Sequence, residues 1–384
     1  NKKKTYKHFG AEFKFELYES NMDPILRFMH EKEITPAGII EIEDYDEVDE
    51  YNKETNCEIE IEANWENVHD GGDVEKATPF VFASFDIECT SEDGTFPQAH
   101  RPGDQVIQIF TTFYKYGENE PFFVHAACLK DTGKPDGVNE LYCSDDEGEV
   151  ILEWSRIIRK MMPDVLVGYN INGFYLKYLW DRAKEIGCLN KFKFLGKITN
   201  EESALEKKVF SSNAYGHTVT YHLPMKGMLT MDLLPIIRRD HKLDSYKLDD
   251  VSEHFLKENK LKVTPQDIFD LFEGDSDDRK KIAEYCLQDT KLPMRLINKL
   301  FIFPNMIEMA NVTRVTMEGL MSRGQQIKVF SQLIYETRKR GLIIPTNVEH
   351  SNDGYVGATV LHAMAGAYYE PITGLDFASL YPTI

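Results

Sequence analysis

The chain has 384 residues, of which 42% are hydrophobic and 28% are charged, and its 44 basic and 64 acidic side chains leave a net charge of −20. This length suits two or three domains with sizeable cores. No apolar run approaches the roughly 18 residues that a spanning helix needs, which excludes a transmembrane role, and the acidic balance argues against a uniformly basic, duplex-binding surface.

The chain start and the cysteines indicate the cellular context. The sequence opens with Asn1-Lys2-Lys3-Lys4, without an initiator Met or an apolar core behind the charges, so we expect a cut inside a longer chain and not a secretory signal. The six cysteines include no CxxC pair, which argues against a structural zinc site or a disulfide framework and favours a reducing compartment.

The first 78 residues predict short strands and a short helix. Residues 13–17 and 58–62 alternate between apolar and polar side chains, as half-buried strands do. Residues 23–30 have helical spacing. The inward face of this helix is expected to hold Ile25, Leu26 and Met29.

From residue 79 the chain becomes more apolar, and residues 80–87 predict a buried strand. Further strands are predicted at 106–113, 121–127, 164–168, 218–223 and 228–233. Helices are predicted at 150–162, 174–186, 279–300 and, largely helical and closed by Gly341, 305–340. Strands that alternate with helices favour an α/β sheet domain.

Two acidic side chains end the most apolar predicted strand. Asp86 and Glu88 are two residues apart and therefore point to one face, with Phe85 and Ile87 on the other. Like charges at the end of a buried strand are costly unless a cation neutralises them, and carboxylate oxygens suit Mg²⁺ or Mn²⁺. The alternative is a strand end that emerges into solvent, where the two carboxylates cost nothing.

A third carboxylate lies on the predicted helix of residues 279–300. Tyr285 and Asp289 are four residues apart and share a helix face. A phenol beside a carboxylate could position a metal-bound water, and two metals about 3.5–4 Å apart are a common arrangement for cutting phosphodiesters. Tyr285 could equally be an ordinary helix tyrosine.

These residues belong to an ordered series of motifs that resembles the family B DNA polymerases. The three exonuclease motifs of the family resemble Phe85-Asp86-Ile87-Glu88-Cys89, then Gly168-Tyr169-Asn170-Ile171-Asn172-Gly173-Phe174 with Leu176, Tyr178, Leu179 and Arg182-Ala183, and finally Tyr285-Cys286-Leu287-Gln288-Asp289. Other segments resemble the delta-type catalytic subunits and their viral relatives: Tyr18-Glu19-Ser20-Asn21, Leu26-Arg27-Phe28-Met29, Ser322-Arg323-Gly324-Gln325-Gln326, Tyr355 and Gly357-Ala358-Thr359-Val360. The resemblance covers essentially the whole chain.

The resemblance implies an α/β fold: a ribonuclease-H-like 3′→5′ exonuclease domain with a mixed sheet flanked by helices, a partial N-terminal α+β domain and the start of a polymerase palm. It also implies roles for individual residues. Asp86, Glu88 and Asp289 would be the metal ligands for two Mg²⁺ (or Mn²⁺) ions. Tyr285 would orient the attacking water.

The resemblance also implies a single-stranded DNA contact. Asn170 and Phe174 would lie near the 3′ end of the bound strand. Phe174, Tyr175 and the lysines of residues 191–197 are candidates for stacking and phosphate contacts without base readout. If the basic clusters matter, the affinity should fall steeply with salt.

One position departs from the family pattern. The second exonuclease motif has Asp after Phe as another metal-site carboxylate, and here that place holds Tyr175, while Leu176 and Tyr178 keep the register. Asp181 lies six residues on, on a different helical face, and cannot easily replace it. A phenol with a pKa of about 10 is a poor hard-metal ligand at neutral pH, so we expect severely weakened proofreading.

Asp376-Phe377-Ala378-Ser379-Leu380-Tyr381 resembles the first polymerase motif of the palm. The resemblance implies that Asp376 binds the catalytic metals and that Tyr381 lies against the sugar and excludes a 2′-hydroxyl. Phe377 and Leu380 complete the expected polymerase-site segment. The partner carboxylate and the basic nucleotide-binding helix belong to later motifs of the family, so we expect that this chain alone does not synthesise DNA.

The expected layout has four parts: residues 1–78 as a partial N-terminal domain, 79–303 as the exonuclease domain, 304–354 as a helical segment returning to the N-terminal domain, and 355–384 as the start of the palm. The implied partners are primer-template DNA with a single-stranded 3′ end, deoxynucleotides through the palm, the remaining C-terminal polymerase segment, and a sliding clamp with accessory subunits, with no membrane. The implied location is the nucleus or a viral replication site.

Three functional interpretations remain open. The first is the N-terminal and exonuclease part of a replicative DNA polymerase with impaired proofreading. The second is a stand-alone 3′→5′ exonuclease, against which both Tyr175 and the palm motif argue. The third is a non-catalytic module that binds single-stranded 3′ ends or partner proteins. Metal titration separates the last two, since a binding module need not hold two cations.

Overall fold

The computed structural model describes residues 2–19, 22–72, 78–212, 216–257, 263–344 and 359–380. The chain divides into two compact units, one formed by residues 1–18 with 344–384 and the other by residues 19–343. In the smaller unit, β1 (Lys2–His8) and β2 (Ala11–Leu17) form an antiparallel hairpin, which confirms the strand predicted at 13–17. Phe9 and Gly10 join them with positive φ at both positions, the backbone that a two-residue hairpin turn requires.

The palm strands expected from residue 355 do not form within residues 359–380, which contain no strand and are exposed. A strand needs a neighbour to pair its backbone groups, and residues 359–380 pair with no strand among the described residues. Residues 355–358 and 381–384 lie outside the described part of the chain.

The larger unit is built on a six-stranded sheet. Its strands are β7 (Val81–Cys89), β8 (Val106–Lys115), β9 (Phe123–Leu129), β10 (Glu140–Ser144), β11 (Val165–Gly168) and β14 (Leu229–Asp232). The spatial order is β10-β9-β8-β7-β11-β14. β8 runs antiparallel to β7 and β9, and the other pairs are parallel, so the sheet is mixed, as predicted.

The remaining strands form small two-stranded sheets. They are β3 (Ile40–Ile42), β4 (Tyr45–Glu47), β5 (Ile61–Ala63), β6 (Val68–Asp70), β12 (Glu206–Ser212) and β13 (Gly216–His222). The strand predicted at 58–62 is shorter and later than expected, because Ile59 is exposed and only Ile61 onward pairs with β4.

Eleven α-helices lie within the described residues. They are α1 (Pro24–Glu31), α2 (Glu147–Met161), α3 (Leu176–Glu185), α4 (Leu189–Phe192), α5 (Leu233–Asp240), α6 (Leu248–Leu256), α7 (Pro265–Glu273), α8 (Ser276–Lys299), α9 (Ile302–Thr313), α10 (Met317–Ser322) and α11 (Gln326–Lys339). α2 packs on one face, where the fully buried ring of Trp154 lies 5.0 Å from that of Phe85. α8 packs on the other face, where Cys286 joins Phe110 in the core.

Two helix predictions need correction. In α1 the buried face is Leu26, Met29 and His30, whose spacing of three and four residues leaves Ile25 at the flank, exposed to 61%. The helical stretch predicted at 305–340 is three helices, because Arg314 takes a left-handed backbone conformation that ends α9.

Candidate active site

The site begins at the carboxyl end of β7. Asp86 is buried and Glu88 is half-buried, and both lie on the α8 side, while Phe85 and Ile87 pack in the core on the α2 side. The pairing with β8 shifts register between Glu88 and Cys89, which is the signature of a β-bulge. Such bulges re-aim side chains next to active sites. Asp86 and Glu88 therefore share a site, as their spacing predicted, and do not emerge separately into solvent.

α8 brings a thiol and a third carboxylate to the same place. The Cys286 Sγ lies 3.7 Å from the Asp86 Oδ2, and ligand atoms of Asp86, Glu88 and Cys286 all lie within 4.8 Å of one another. Among the described residues, that close group contains Cys286 and does not include Asp289. Asp289 is buried one turn further along α8, and Tyr285 is half-buried on the same helix.

All three carboxylates affect the pKa of Cys286. Burial raises the pKa of this thiol well above its usual value, and Asp86, Glu88 and Asp289 raise it further, in that order. The thiol is therefore neutral at physiological pH and adds no charge to the group. We refer to Asp86, Glu88 and Asp289 as the carboxylate cluster. Its members repel one another in a poorly solvated place, which is the arrangement that a divalent cation relieves.

Tyr175 reaches this cluster from a single π-helical turn, Ile171–Tyr175, which precedes α3. Its ring is half-buried, and its hydroxyl is hydrogen-bonded to Asp86. Burial raises the pKa of Tyr175 well above its usual value, and Asp86, Glu88 and Asp289 add to that effect. Tyr175 therefore places a neutral phenol against the carboxylates. Asp181 is not brought to the cluster, because it is paired with Lys177 on α3.

The first residue before this turn has an unusual backbone. Asn170 adopts the left-handed region with φ 66°, which Asn tolerates better than most residues. Its backbone N–H and that of Asn172 both donate to Asp232 at the end of β14. Sequence reasoning missed Asp232, because the strand predicted at 228–233 included it and no helix was predicted next; in the structure Asp232 is the N-cap of α5.

Phe174, at the same turn, forms one wall of a neighbouring cavity of about 520 Å³. Its ring centroid lies 4.8 Å from that of Phe96, which is 69% exposed on the loop between β7 and β8. Lys177 and Lys184 also line this cavity. Phe96 was missed because nothing in its local sequence indicates which element its loop will contact.

The lysines predicted to contact phosphate are partly engaged elsewhere. The Lys193 Nζ lies 2.6 Å from a Glu202 carboxylate oxygen, and the Lys197 Nζ lies 2.6 Å from Asp164. These pairs neutralise two of the cations in residues 191–197 and reduce what they can offer to DNA.

A second group with metal-binding residue types lies on the α2 face. Ligand atoms of His125, Glu140 and Glu153 lie within 4.8 Å of one another. The Arg156 guanidinium already bonds both carboxylates, with its Nη2 2.8 Å from Glu140 and its Nε 2.6 Å from Glu153. The Arg156 guanidinium therefore already neutralises these carboxylates, and we interpret the group as a structural ion-pair network.

The polymerase-motif residues lie in the smaller unit. Asp376, Phe377 and Leu380 are exposed, and Tyr381 lies outside the described residues. Across the described parts of the chain, no helix combines the length and apolar character needed to cross a membrane.

Comparisons with known proteins identify the family of this chain. The family model for the DNA polymerase family B exonuclease domain matches residues 15–251, and the model for DNA polymerase family B matches residues 315–384. The chain is 39% identical over 376 residues to the DNA polymerase delta catalytic subunit of Drosophila melanogaster, covering 96% of this chain and 34% of that protein. It is 37% identical over 379 residues to a DNA polymerase of Paramecium bursaria Chlorella virus NY2A, covering 96% and 41%.

Among solved structures, the family B DNA polymerase of the archaeon Pyrobaculum calidifontis has a similar fold, with a TM-score of 0.60 at 22% identity over 90% of this chain and 39% of that one. The chain spans about a third to two fifths of the length of these relatives. The exonuclease model alone covers more than half of the chain and accounts for its ribonuclease-H-like mixed sheet. The chain therefore belongs to the family B DNA polymerases.

Proposed function

We propose that this chain provides the N-terminal and exonuclease part of a delta-type replicative DNA polymerase, with a 3′→5′ phosphodiester hydrolysis site at the carboxylate cluster. The observation that carries the proposal is the convergence of Asp86 and Glu88 with the buried face of α8 that bears Asp289. Carboxylates that converge in such a poorly solvated place fit a hard divalent cation. Two Mg²⁺ (or Mn²⁺) ions would lower the pKa of a water and stabilise the leaving oxygen.

The residues of the chain have separate roles in this proposal. Asp86, Glu88 and Asp289 would hold the cations, and Tyr285 would orient a water towards the terminal phosphodiester. Cys286 contributes a neutral thiol whose raised pKa makes it a poor partner for Mg²⁺. The cations would therefore be held mainly by the carboxylates and not by the thiol.

Tyr175 weakens this site for two physical reasons. Its phenol stays protonated, so the cluster lacks one negative charge that a carboxylate at the same position would supply. Its hydroxyl also hydrogen-bonds Asp86, which engages a ligand that a metal would need. We propose that 3′→5′ proofreading by this chain is severely reduced at neutral pH.

The DNA-binding surface in this proposal runs from the carboxylate cluster to the neighbouring cavity. Asn170 and Phe174 would lie near the 3′-terminal nucleotide, and the contacting rings of Phe174 and Phe96 offer apolar faces on which bases stack without regard to sequence. Lys184 at the cavity would contact phosphates, whereas Lys177 is paired with Asp181 and would offer less. Duplex reading plays no part in this arrangement.

The wider assignments are part of the same proposal. The layout has an exonuclease domain at 79–303, preceded by a partial N-terminal domain at 1–78 and followed by a return segment at 304–354 and the start of the palm at 355–384. Asp376, Phe377, Leu380 and Tyr381 would belong to the polymerase site. The partners would be primer-template DNA, deoxynucleotides, the remaining polymerase segment, and a sliding clamp with accessory subunits, in the nucleus or at a viral replication site.

The test is degradation of a 5′-labelled single-stranded oligonucleotide in Mg²⁺ and in Mn²⁺. Tyr175→Asp should raise the rate by about 100-fold or more, because it restores an anionic ligand. Tyr175→Phe is the matched control: it removes the hydroxyl bonded to Asp86 without adding charge and should give a much smaller gain. Tyr175→Asp combined with Asp289→Asn should be as slow as the chain itself.

A rate that does not change with Tyr175→Asp would contradict the proposal, and so would rapid degradation by the chain as it stands. A second candidate function, a non-catalytic module that binds single-stranded 3′ ends, is favoured by the neutral phenol at the cluster. It predicts that Mn²⁺ titration detects no paired sites and that oligonucleotide affinity is the same with and without Mn²⁺.

A further inference from the structure

Asp232 is a buried carboxylate that the proposed hydrolysis does not use. It ends β14, next to Gly168 at the end of β11, and is 5% exposed. Burial raises the pKa of Asp232 to about 6, against the opposing effect of three backbone N–H groups. Keeping a carboxylate in such a place is costly unless those N–H groups need a common acceptor.

The three donors define what Asp232 holds. The Asn170 N–H donates to Oδ1 at 2.8 Å and the Asn172 N–H donates to Oδ2 at 2.9 Å. The Leu234 N–H donates to Oδ1 at 3.1 Å as part of the N-cap of α5. The carboxylate thus bridges the first turn of α5 and two alternate amides of the segment 170–172, so it ties that segment to the end of the sheet.

The segment held by Asp232 forms a tight turn with its own backbone hydrogen bonds. Asn170 has φ 66°, and its carbonyl oxygen accepts from the Gly173 N–H at 3.2 Å and the Phe174 N–H at 3.0 Å. A Cβ on Gly173 would lie only 2.1 Å from the Asn170 Oδ1. The turn is therefore internally tight, and two of its backbone amides are fixed to the end of the sheet by Asp232.

The orientation matters because the turn ends at the cluster. Phe174 leads to the cavity wall, and the hydroxyl of Tyr175 meets Asp86. A rotation of the turn about its own axis would move both side chains together, and displacements of about 1 Å at a reacting centre cost up to about 100-fold in rate.

We propose that Asp232 is a positioning residue of the exonuclease site: by holding the amides of Asn170 and Asn172, it sets where residue 175 stands against Asp86. This inference rests on the proposed function for its effect on hydrolysis, whereas its effect on the turn does not.

Asp232→Asn in the full chain tests the inference. The side chain keeps its shape and one acceptor, but its NH₂ group then faces a backbone N–H, so one of the two anchors is lost. Asp164→Asn is the matched control. Asp164, just before β11, accepts the Val81 N–H at 2.8 Å and pairs with Lys197, so it also ties backbone to the same sheet but away from the turn.

Three measurements are compared between the two variants. Amide hydrogen exchange of the peptide covering residues 169–176 should be about tenfold faster in Asp232→Asn, and unchanged in Asp164→Asn. In the Tyr175→Asp background, kcat on a single-stranded oligonucleotide should fall about tenfold or more with Asp232→Asn, with KM changed little, and stay unchanged with Asp164→Asn. The affinity of the same oligonucleotide in Ca²⁺ is measured by fluorescence anisotropy.

Exchange at 169–176 that matches the control would overturn the inference, whatever the activity. Faster exchange with an unchanged kcat in the Tyr175→Asp background would also overturn it, because Asp232 would then be structural only. If Tyr175→Asp itself is inactive, the proposed function has failed, and the oligonucleotide affinity in Ca²⁺ tests the inference instead. A loss of affinity of about fivefold or more in Asp232→Asn but not in Asp164→Asn supports positioning of the turn, and equal affinity in the two variants refutes it.

Discussion

Arg182, on the buried side of α3, secures the loop between β7 and β8, which lines the cavity beside Phe174. Its guanidinium pairs with Glu147 through two contacts of 2.7 Å, and the two side chains are only 4% and 5% exposed. The same guanidinium donates to three loop carbonyls, those of Ala99, Arg101 and Pro102, at 2.8–3.2 Å. This one side chain therefore satisfies a buried carboxylate and a stretch of loop backbone.

Arg182→Met should lower the free energy of unfolding of the larger unit, residues 19–343, by about 4 kcal/mol. Removing one partner of a buried pair costs about 3–5 kcal/mol, because the other charge stays buried. Glu147 would keep the Val106 N–H at 2.8 Å as a donor, and the loop carbonyls would gain water, so the loss should not exceed that range. Glu147→Gln should cost less, about 2 kcal/mol, because Arg182 keeps its three carbonyls and a neutral acceptor.

Urea unfolding followed through the fluorescence of Trp154, which is fully buried in this unit, measures these losses. Arg101→Met in the same loop is the control. Its partner Asp93 is 46% exposed, so the substitution should cost well under 1 kcal/mol. When Arg182→Met and Glu147→Gln are combined, the total loss of stability should be about 2 kcal/mol smaller than the sum of the two single losses. A loss below about 1 kcal/mol for Arg182→Met would refute the reasoning that this pair and the loop depend on each other.

Burial lowers the pKa of His30 to about 4, so between pH 4 and about 6.5 the unfolded chain binds a proton that the folded chain does not. The free energy of unfolding should therefore decrease as the pH is lowered through this window. In denaturant titrations, His30→Gln should remove about 2 kcal/mol of the stability loss between pH 7 and pH 5. Gly173→Ala should weaken single-stranded oligonucleotide binding about threefold to tenfold in fluorescence anisotropy, because its Cβ would displace the side-chain amide of Asn170. Gly324→Ala, at an open position, is the control and should leave the affinity unchanged. Equal affinities of the two variants would contradict this prediction. Phe96→Ala should cost about 1–3 kcal/mol of that affinity through lost stacking, with Phe122→Ala, at another exposed phenylalanine away from the cavity, as the neutral control.

Local patterns in the sequence were sufficient for the central elements of the site. The apolar run at 80–87 became β7, and the two-residue spacing of Asp86 and Glu88 placed both on its α8 side, because alternation along a strand needs no knowledge of the rest of the fold. The four-residue spacing of Tyr285 and Asp289 on α8 follows from helix geometry in the same way. The prediction made for Tyr175 depends only on the order of residues in a motif, and it stays a prediction.

The tertiary structure decided which distant residues meet these elements. Cys286 closes the group around Asp86 across 200 positions of sequence, and Asp232 reaches the 170–172 amides from 60 positions away. Phe96 meets Phe174 only because its loop is held at α3. Such contacts depend on sheet order, register and the bulge after Glu88, which result from packing the whole unit. Local periodicity carries no information on these pairings, so sequence alone determined the elements and their faces, and packing determined the site.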